Sequence, residues 1–206
     1  MSITTCCPKS TTLASAVTVL YPCPQEFGQI QKLIFWRRGN KIASLATALI
    51  STTWTTLLTA TGATKALVAG FTIGKITPGD PREAGGGNET KDGIPVVIGN
   101  NPSTAEFMLI QQDQDVIKQL KKLQCESLDV IPVNENGQFM YADTLFGGIA
   151  TGFYGFPVAG LSIGDLETGD FDGKDQNKLK FFLPANWSND AEISAATSWA
   201  LTLINS

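Results

Sequence analysis

The stretch LDVIPVNENGQFMY (128–141) reads as two short strands joined by a turn. Leu128 to Val133 and Gln138 to Tyr141 are apolar runs of strand length, rich in β-branched and aromatic side chains. Between them, Asn134-Glu135-Asn136-Gly137 ends in Asn-Gly, the dipeptide that supplies positive φ angles to a hairpin turn. Consecutive strands linked this closely run antiparallel, so the reading points to an antiparallel sheet.

The flanking sequence extends that sheet. Gln29 to Trp36 (QIQKLIFW) reads as a strand closed by a Gly39-Asn40 turn. Thr64 to Ile76 reads as another, ending at Thr77-Pro78-Gly79. Ile94 to Ile98 and Ala105 to Ile110 are expected to pair as a hairpin around Gly99-Asn100-Asn101-Pro102, and Val158 to Ile163 and Lys178 to Leu183 supply two further strands. Asp113 to Cys125 is the clearest helix: Val116, Ile117, Leu120 and Leu123 form one apolar stripe. Its acidic start and its later lysines, Lys118, Lys121 and Lys122, suit the helix dipole. A second helix is expected from Ile42 to about Ala60, where Leu45, Leu49, Trp54 and Leu57 recur at helical spacing. Residues 186–206 fit either a helix or a strand with a tail. The fold class is therefore α+β: a mainly antiparallel β-sandwich or barrel with one or two flanking helices and long loops. Residues 1–26 read as an N-terminal arm, and 27–206 as a single β-rich domain with a long loop at 77–93.

Composition narrows the functions. A net charge of −4 disfavours general nucleic-acid binding, which needs a clustered basic face. The compact basic group Lys32, Arg37, Arg38 and Lys41 reads as a solvated turn. Histidine is absent, and Cys6, Cys7, Cys23 and Cys125 lack the spacing of a zinc site, so metal, haem and His-based acid–base chemistry are all disfavoured. The thiols read as reduced. The uncharged stretch between Lys41 and Lys65 is long enough to span a bilayer, but ten of its residues are Ser or Thr, too polar to insert. No membrane segment and no signal peptide are expected.

No nucleophile–base pair stands out, and neither catalytic residues nor a cofactor are expected. The run Gly85-Gly86-Gly87-Asn88-Glu89-Thr90 lacks the Gly-Lys-Ser/Thr of a phosphate loop. Its glycines suit either a loop that reaches an adjacent subunit or a plain surface loop. Asp170, Asp172 and Asp175 resemble an oxygen-ligand calcium loop, yet Lys174 and the missing terminal Glu make a turn the better reading. Asp80, Glu83, Glu89 and Asp92 share the long loop without a cleft to raise one pKa. Phe146, Phe153, Tyr154 and Phe156, set among glycines, suit core plugs or interface anchors better than stacking platforms for bases or sugars.

Several strings in order carry a resemblance: Cys23-Pro24-Gln25-Glu26-Phe27-Gly28-Gln29-Ile30-Gln31-Lys32, the GGGNET run at 85–90, Gly93-Ile94-Pro95-Val96-Val97-Ile98-Gly99, Val116-Ile117-Lys118 and Asn186-Trp187-Ser188. Spread over residues 22–188, they resemble a family of virion tail or neck proteins of gut Bacteroidales phages, including crAss-like phages. The resemblance implies a tail-tube-like fold and a non-enzymatic subunit that closes into a homo-oligomeric ring around the DNA channel. It implies neighbouring tail, neck or portal-proximal proteins as partners, at most passive contact with packaged DNA, and a virion location after assembly in the bacterial host cytoplasm. A heavier Thr content and the Cys6-Cys7 arm depart from the family. Cys6, Cys7 and Cys23, with Gly85 to Thr90, are the candidate inter-subunit contacts. Alternatives are a capsid-decorating or head-fibre-associated protein and, further off, a carbohydrate-binding module or a small hydrolase.

Overall fold

Strand β1 (Ile30–Arg37, IQKLIFWR) is apolar at consecutive positions because it is buried on both faces. A computed structural model describes residues 27–86, 94–110, 112–169 and 173–203. In β1, Leu33 and Phe35 enter one hydrophobic cluster while Ile34 and Trp36 enter a second on the opposite side. The chain continues through β2 (Lys41–Ile42), helices α1 (Leu45–Ala48) and α2 (Ser51–Thr59), β3 (Leu67–Ala69), β4 (Thr72–Thr77), β5 (Pro81–Ala84), β6 (Val96–Asn100) and β7 (Ser103–Ile110). Helix α3 (Gln114–Lys122) ends in a 3₁₀ turn at Leu123–Cys125. Then come β8 (Leu128–Asn134), β9 (Met140–Thr144), β10 (Thr151–Tyr154), β11 (Phe156–Glu167), β12 (Gln176–Leu183), a 3₁₀ turn at Trp187–Asp190, β13 (Ala191–Ile193) and α4 (Ala200–Leu203).

Every described strand pairing is antiparallel. Seven strands form the main sheet in the order β3-β1-β8-β11-β12-β7-β4, and four form a second in the order β13-β9-β10-β2. The main sheet curls until its edge strands β3 and β4 are consecutive in the chain, and Thr72 Oγ1 lies 3.5 Å from the Ile30 carbonyl. Inside the curl, Phe35, Phe107, Phe156 and Phe181 pack with Ile117 and Leu120 of α3. Outside it, the second sheet and α1–α2 cover β1 and β8 and enclose Trp36, Trp54, Phe139 and Phe153. The fold is thus α+β and mainly antiparallel, with few helices, as the sequence indicates.

The 128–141 stretch forms its turn, with Gly137 at φ 73°, and the Asn134 side chain accepts from the Asn136 and Gln138 amides at 3.0 and 2.8 Å. The strands on either side then part. One bridge, Val133↔Phe139, joins them before β8 enters the main sheet and β9 the second. The turn is a corner between sheets. All seven residues of β8 are buried, because both its faces are covered.

Other expectations are refined. The helix expected over 42–60 is two helices, broken where Ile50 is extended at φ −96°, ψ 122°. In α2 the threonine hydroxyls turn back on the helix: Thr56 and Thr59 donate to the Thr52 and Thr55 carbonyls at 3.0 and 2.8 Å. Trp54 is that helix's buried residue. The strand expected over 64–76 is split at Phe71, whose φ of 48° turns the chain from one edge of the main sheet to the other. The hairpin expected between 94–98 and 105–110 does not form. β6 pairs instead with β5, and β7 lies between β4 and β12. The ambiguous C-terminal region holds a 3₁₀ turn, the short strand β13 and the one-turn helix α4. No helix among the described residues is long and apolar enough to cross a membrane.

Candidate functional site

β4 and β7 pair from Thr72↔Leu109 to Thr77↔Thr104, and the chain then leaves the body as a second ribbon, β5 paired with β6. Gly79 lies at the junction, where a Cβ would come within 2.5 Å of the Asn101 and Pro102 carbonyl oxygens, so only glycine lets the two strands approach there. The Asn101 amide donates to the Asp80 carbonyl at 3.1 Å, and Asn100 Nδ2 donates to Asn186 Oδ1 at 2.7 Å, tying the ribbon's base to the body. Beyond that base, β5 and β6 pair with each other and with no other described strand. A two-stranded ribbon standing alone in water is marginal. This one also leaves Val96, Val97 and Ile98 57–58% exposed. Three consecutive large aliphatic side chains are thus exposed on one strand.

Gly85 and Gly86 continue from the end of β5 with φ of 75° and 119°, in the backbone region that favours glycine. They are the part of the glycine run placed at the ribbon. Gly87, Asn88, Glu89 and Thr90 lie outside the described residues, as do Cys6, Cys7 and Cys23. Cys125 is a free, exposed thiol. Asp170, Asp172, Glu89 and Asp92 also fall outside the described residues. Asp175 behaves as a turn residue, its Oδ1 accepting from the Gly169 amide at 3.0 Å. Glu83 is exposed on β5. Phe153, Tyr154 and Phe156 are core plugs, stacked or packed within the two clusters, while Phe146 is partly exposed.

The basic group is not a solvated turn throughout. Lys32 is buried, with its ammonium 5.9 Å from the Phe71 ring centroid, and burial pulls its pKa down to about 8. Arg37 pairs with Glu126 at 2.8 Å on the surface, and Arg38 Nε lies 3.5 Å from the buried Asp129. The sequence concealed this because the partners lie on β8 and in the segment just before it. Burial holds the Asp129 carboxyl above its ordinary value, against the opposing pull of the Gly39 amide, bonded at 2.9 Å, and of Arg38. Between the ordinary value of 3.8 and that raised value, the folded chain holds a proton that the unfolded chain releases. This group's contribution to stability is thus present below pH 3.8 and declines as pH climbs through the window. Asp129→Asn keeps an acceptor for Gly39 and is expected to flatten that decline, as measured by denaturant unfolding at a series of pH values.

A cleft of about 370 Å³ opens between α3 and the loop after α2, floored by Phe35, Leu67 and Leu128 and edged by Lys65 and Lys122. The carboxylate lining it, Glu126, is engaged by Arg37. Its lining carries neither cysteine nor histidine. No group of three metal-ligating side chains occurs among the described residues.

No family model matches the chain. No curated protein matches it. Among solved structures, one chain from the tail of an empty GTA particle, computed with helical refinement in C6 symmetry, is a weak neighbour. It has 12% identity and a TM-score of 0.34, over 60% of this chain and 80% of that one. A score of this size transfers neither fold nor role.

Proposed function

We propose that the chain is a non-enzymatic structural subunit of a phage virion that assembles with copies of itself through the β5–β6 ribbon. The observation that carries the reading is the exposed aliphatic stretch Val96, Val97 and Ile98 on a ribbon with no third strand among the described residues. The ordered sequence resemblance to tail and neck proteins of gut Bacteroidales phages, including crAss-like phages, supports a place in the tail or neck. There a contact between two different surfaces, repeated by rotation, closes a ring. The net charge of −4 suits a channel through which DNA passes without sticking, since attraction to phosphates requires cations. Neighbouring tail, neck or portal-proximal proteins then complete the partners. The virion is the proposed location, and the bacterial cytoplasm the site of assembly.

Negative-stain microscopy of the concentrated, purified chain tests the form of assembly. Closed rings or stacks of rings are expected, with an open centre. Irregular or two-fold particles without a central opening contradict the ring and favour a capsid-decorating role.

A further inference from the structure

The body carries a second exposed apolar surface, at the end of β4 and β7 far from the ribbon. On the outer face of the main sheet, side chains from β4, β7 and β12 align in rows. Ile73 lies opposite Met108, which lies opposite Lys178; Lys75 lies opposite Glu106, which lies opposite Lys180. Beside the first row, the Ile110 amide donates to the Phe71 carbonyl at 3.2 Å, which sets Phe71 next to Ile110. Phe71 and Ile73 are 61% and 53% exposed, and Met108 and Ile110 are half-buried. Four large apolar side chains thus form one patch on a sheet face whose next row is charged. Lys180 bonds Glu106 at 2.7 Å there, and Lys178 lies 3.7 Å from Glu167. An apolar centre bordered by charge is the usual anatomy of a protein interface.

The two apolar surfaces lie apart on the chain. The ribbon departs at the Thr77↔Thr104 end of β4–β7, and the patch sits at the Thr72↔Leu109 end. Five residue steps separate Thr72 from Thr77, about 17 Å at 3.3 Å per residue. One copy therefore presents an aliphatic ribbon at one end and an aliphatic patch at the other. Such a pair of different, apolar, spatially separate surfaces on one chain is what a head-to-tail contact between copies requires.

We infer that the patch of Phe71, Ile73, Met108 and Ile110 receives the β5–β6 ribbon of a second copy of this chain. The inference rests on the self-assembly reading and adds the receiving site and its polarity. The contact is heterologous: each copy gives its ribbon to one neighbour and its patch to the other.

The test uses the full chain in two variants, Val97→Asp in the ribbon and Ile73→Asp in the patch, with Ile73→Thr as a milder patch change suited to a strand. Association is followed by light scattering against concentration, and folding by circular dichroism and thermal unfolding. Both positions are exposed, so folding is expected to be unchanged. Each Asp variant alone is expected to associate about thirtyfold more weakly, the scale of a lost interface anchor. Mixed in equal amounts, they are expected to form a dimer that grows no further, because one keeps an intact patch and the other an intact ribbon. Loss of assembly in Val97→Asp with normal assembly in both folded Ile73 variants overturns the receiving site while leaving the ribbon's role standing. A mixture in which each variant stays as it was alone overturns the heterologous polarity. A wild-type chain that remains a single copy throughout overturns both this inference and the self-assembly reading.

Discussion

Trp54→Ala is expected to lower folding stability by about 3–5 kcal/mol, the range for removing a large aromatic side chain from a packed core. Trp54 is fully buried, its ring stacked on Phe139 at 5.2 Å and on Trp36 at 6.1 Å, with Phe153 edge-on at 6.1 Å. Its indole Nε1 donates to the Ala48 carbonyl at 2.7 Å, so the same side chain fixes α1 against α2. Alanine leaves a cavity among three aromatic rings and frees that carbonyl. A small domain has about 5–15 kcal/mol in total, so the loss is a large share of it. Denaturant unfolding measures it through the midpoint. Thr56→Ala on the exposed side of the same helix is the control: it is expected to be neutral or slightly stabilising, since Ala is the better helix former. A Trp54→Ala midpoint close to that of Thr56→Ala contradicts the layered arrangement in which α2 caps a second core.

Replacing residues 81–100 with a two-residue Asn-Gly turn is expected to abolish self-association while leaving the body folded. The ends to be joined are already hydrogen-bonded, the Asn101 amide to the Asp80 carbonyl at 3.1 Å, so a tight turn closes them without moving β4 or β7. Among the described residues, the body gives up the 2.7 Å bond from Asn100 to Asn186, and the ribbon's strands pair only with each other. Unfolding free energy is expected to stay within about 1 kcal/mol, because shortening a connection changes its closure entropy only slowly. A shortened chain that still assembles as the full chain does places the contact elsewhere. One that fails to fold shows the ribbon to be part of the core.

The sequence made the buried strands legible because their two-sided burial leaves continuous apolar runs. IQKLIFWR and LDVIPVN carry that mark, and both are interior strands of the main sheet. Helix α3 was legible from its single stripe, with Asp113 as its cap: the carboxylate accepts from the Asp115 amide at 2.8 Å. Partnership was not legible. Val96 to Ile98 look like any core strand, and nothing in their order says that they pair with PREA, a sequence whose Pro and charges read as loop. Their exposure was hidden for the same reason, because apolar character marks a surface to be covered without saying by what. The turn at 134–137 was legible, but the divergence after it was not, since a hairpin and a corner between sheets use the same turn residues. Of the candidate contacts, Gly85 and Gly86 come to the ribbon's end, and the aliphatic strand beside them has only the sequence pattern of a sheet element. The exposure of Phe71 and Ile73 has no mark in the sequence, because it follows from the curl of seven strands drawn from across the chain.

The central claim is that this chain is built to bind copies of itself through an uncovered ribbon. The molar mass of the purified full-length chain, followed by light scattering over a range of concentrations beside the chain lacking residues 81–100, tests it most directly. The expected result is a multi-copy mass for the full chain and a single-copy mass for the shortened one. A single-copy mass for the full chain at every concentration contradicts the claim.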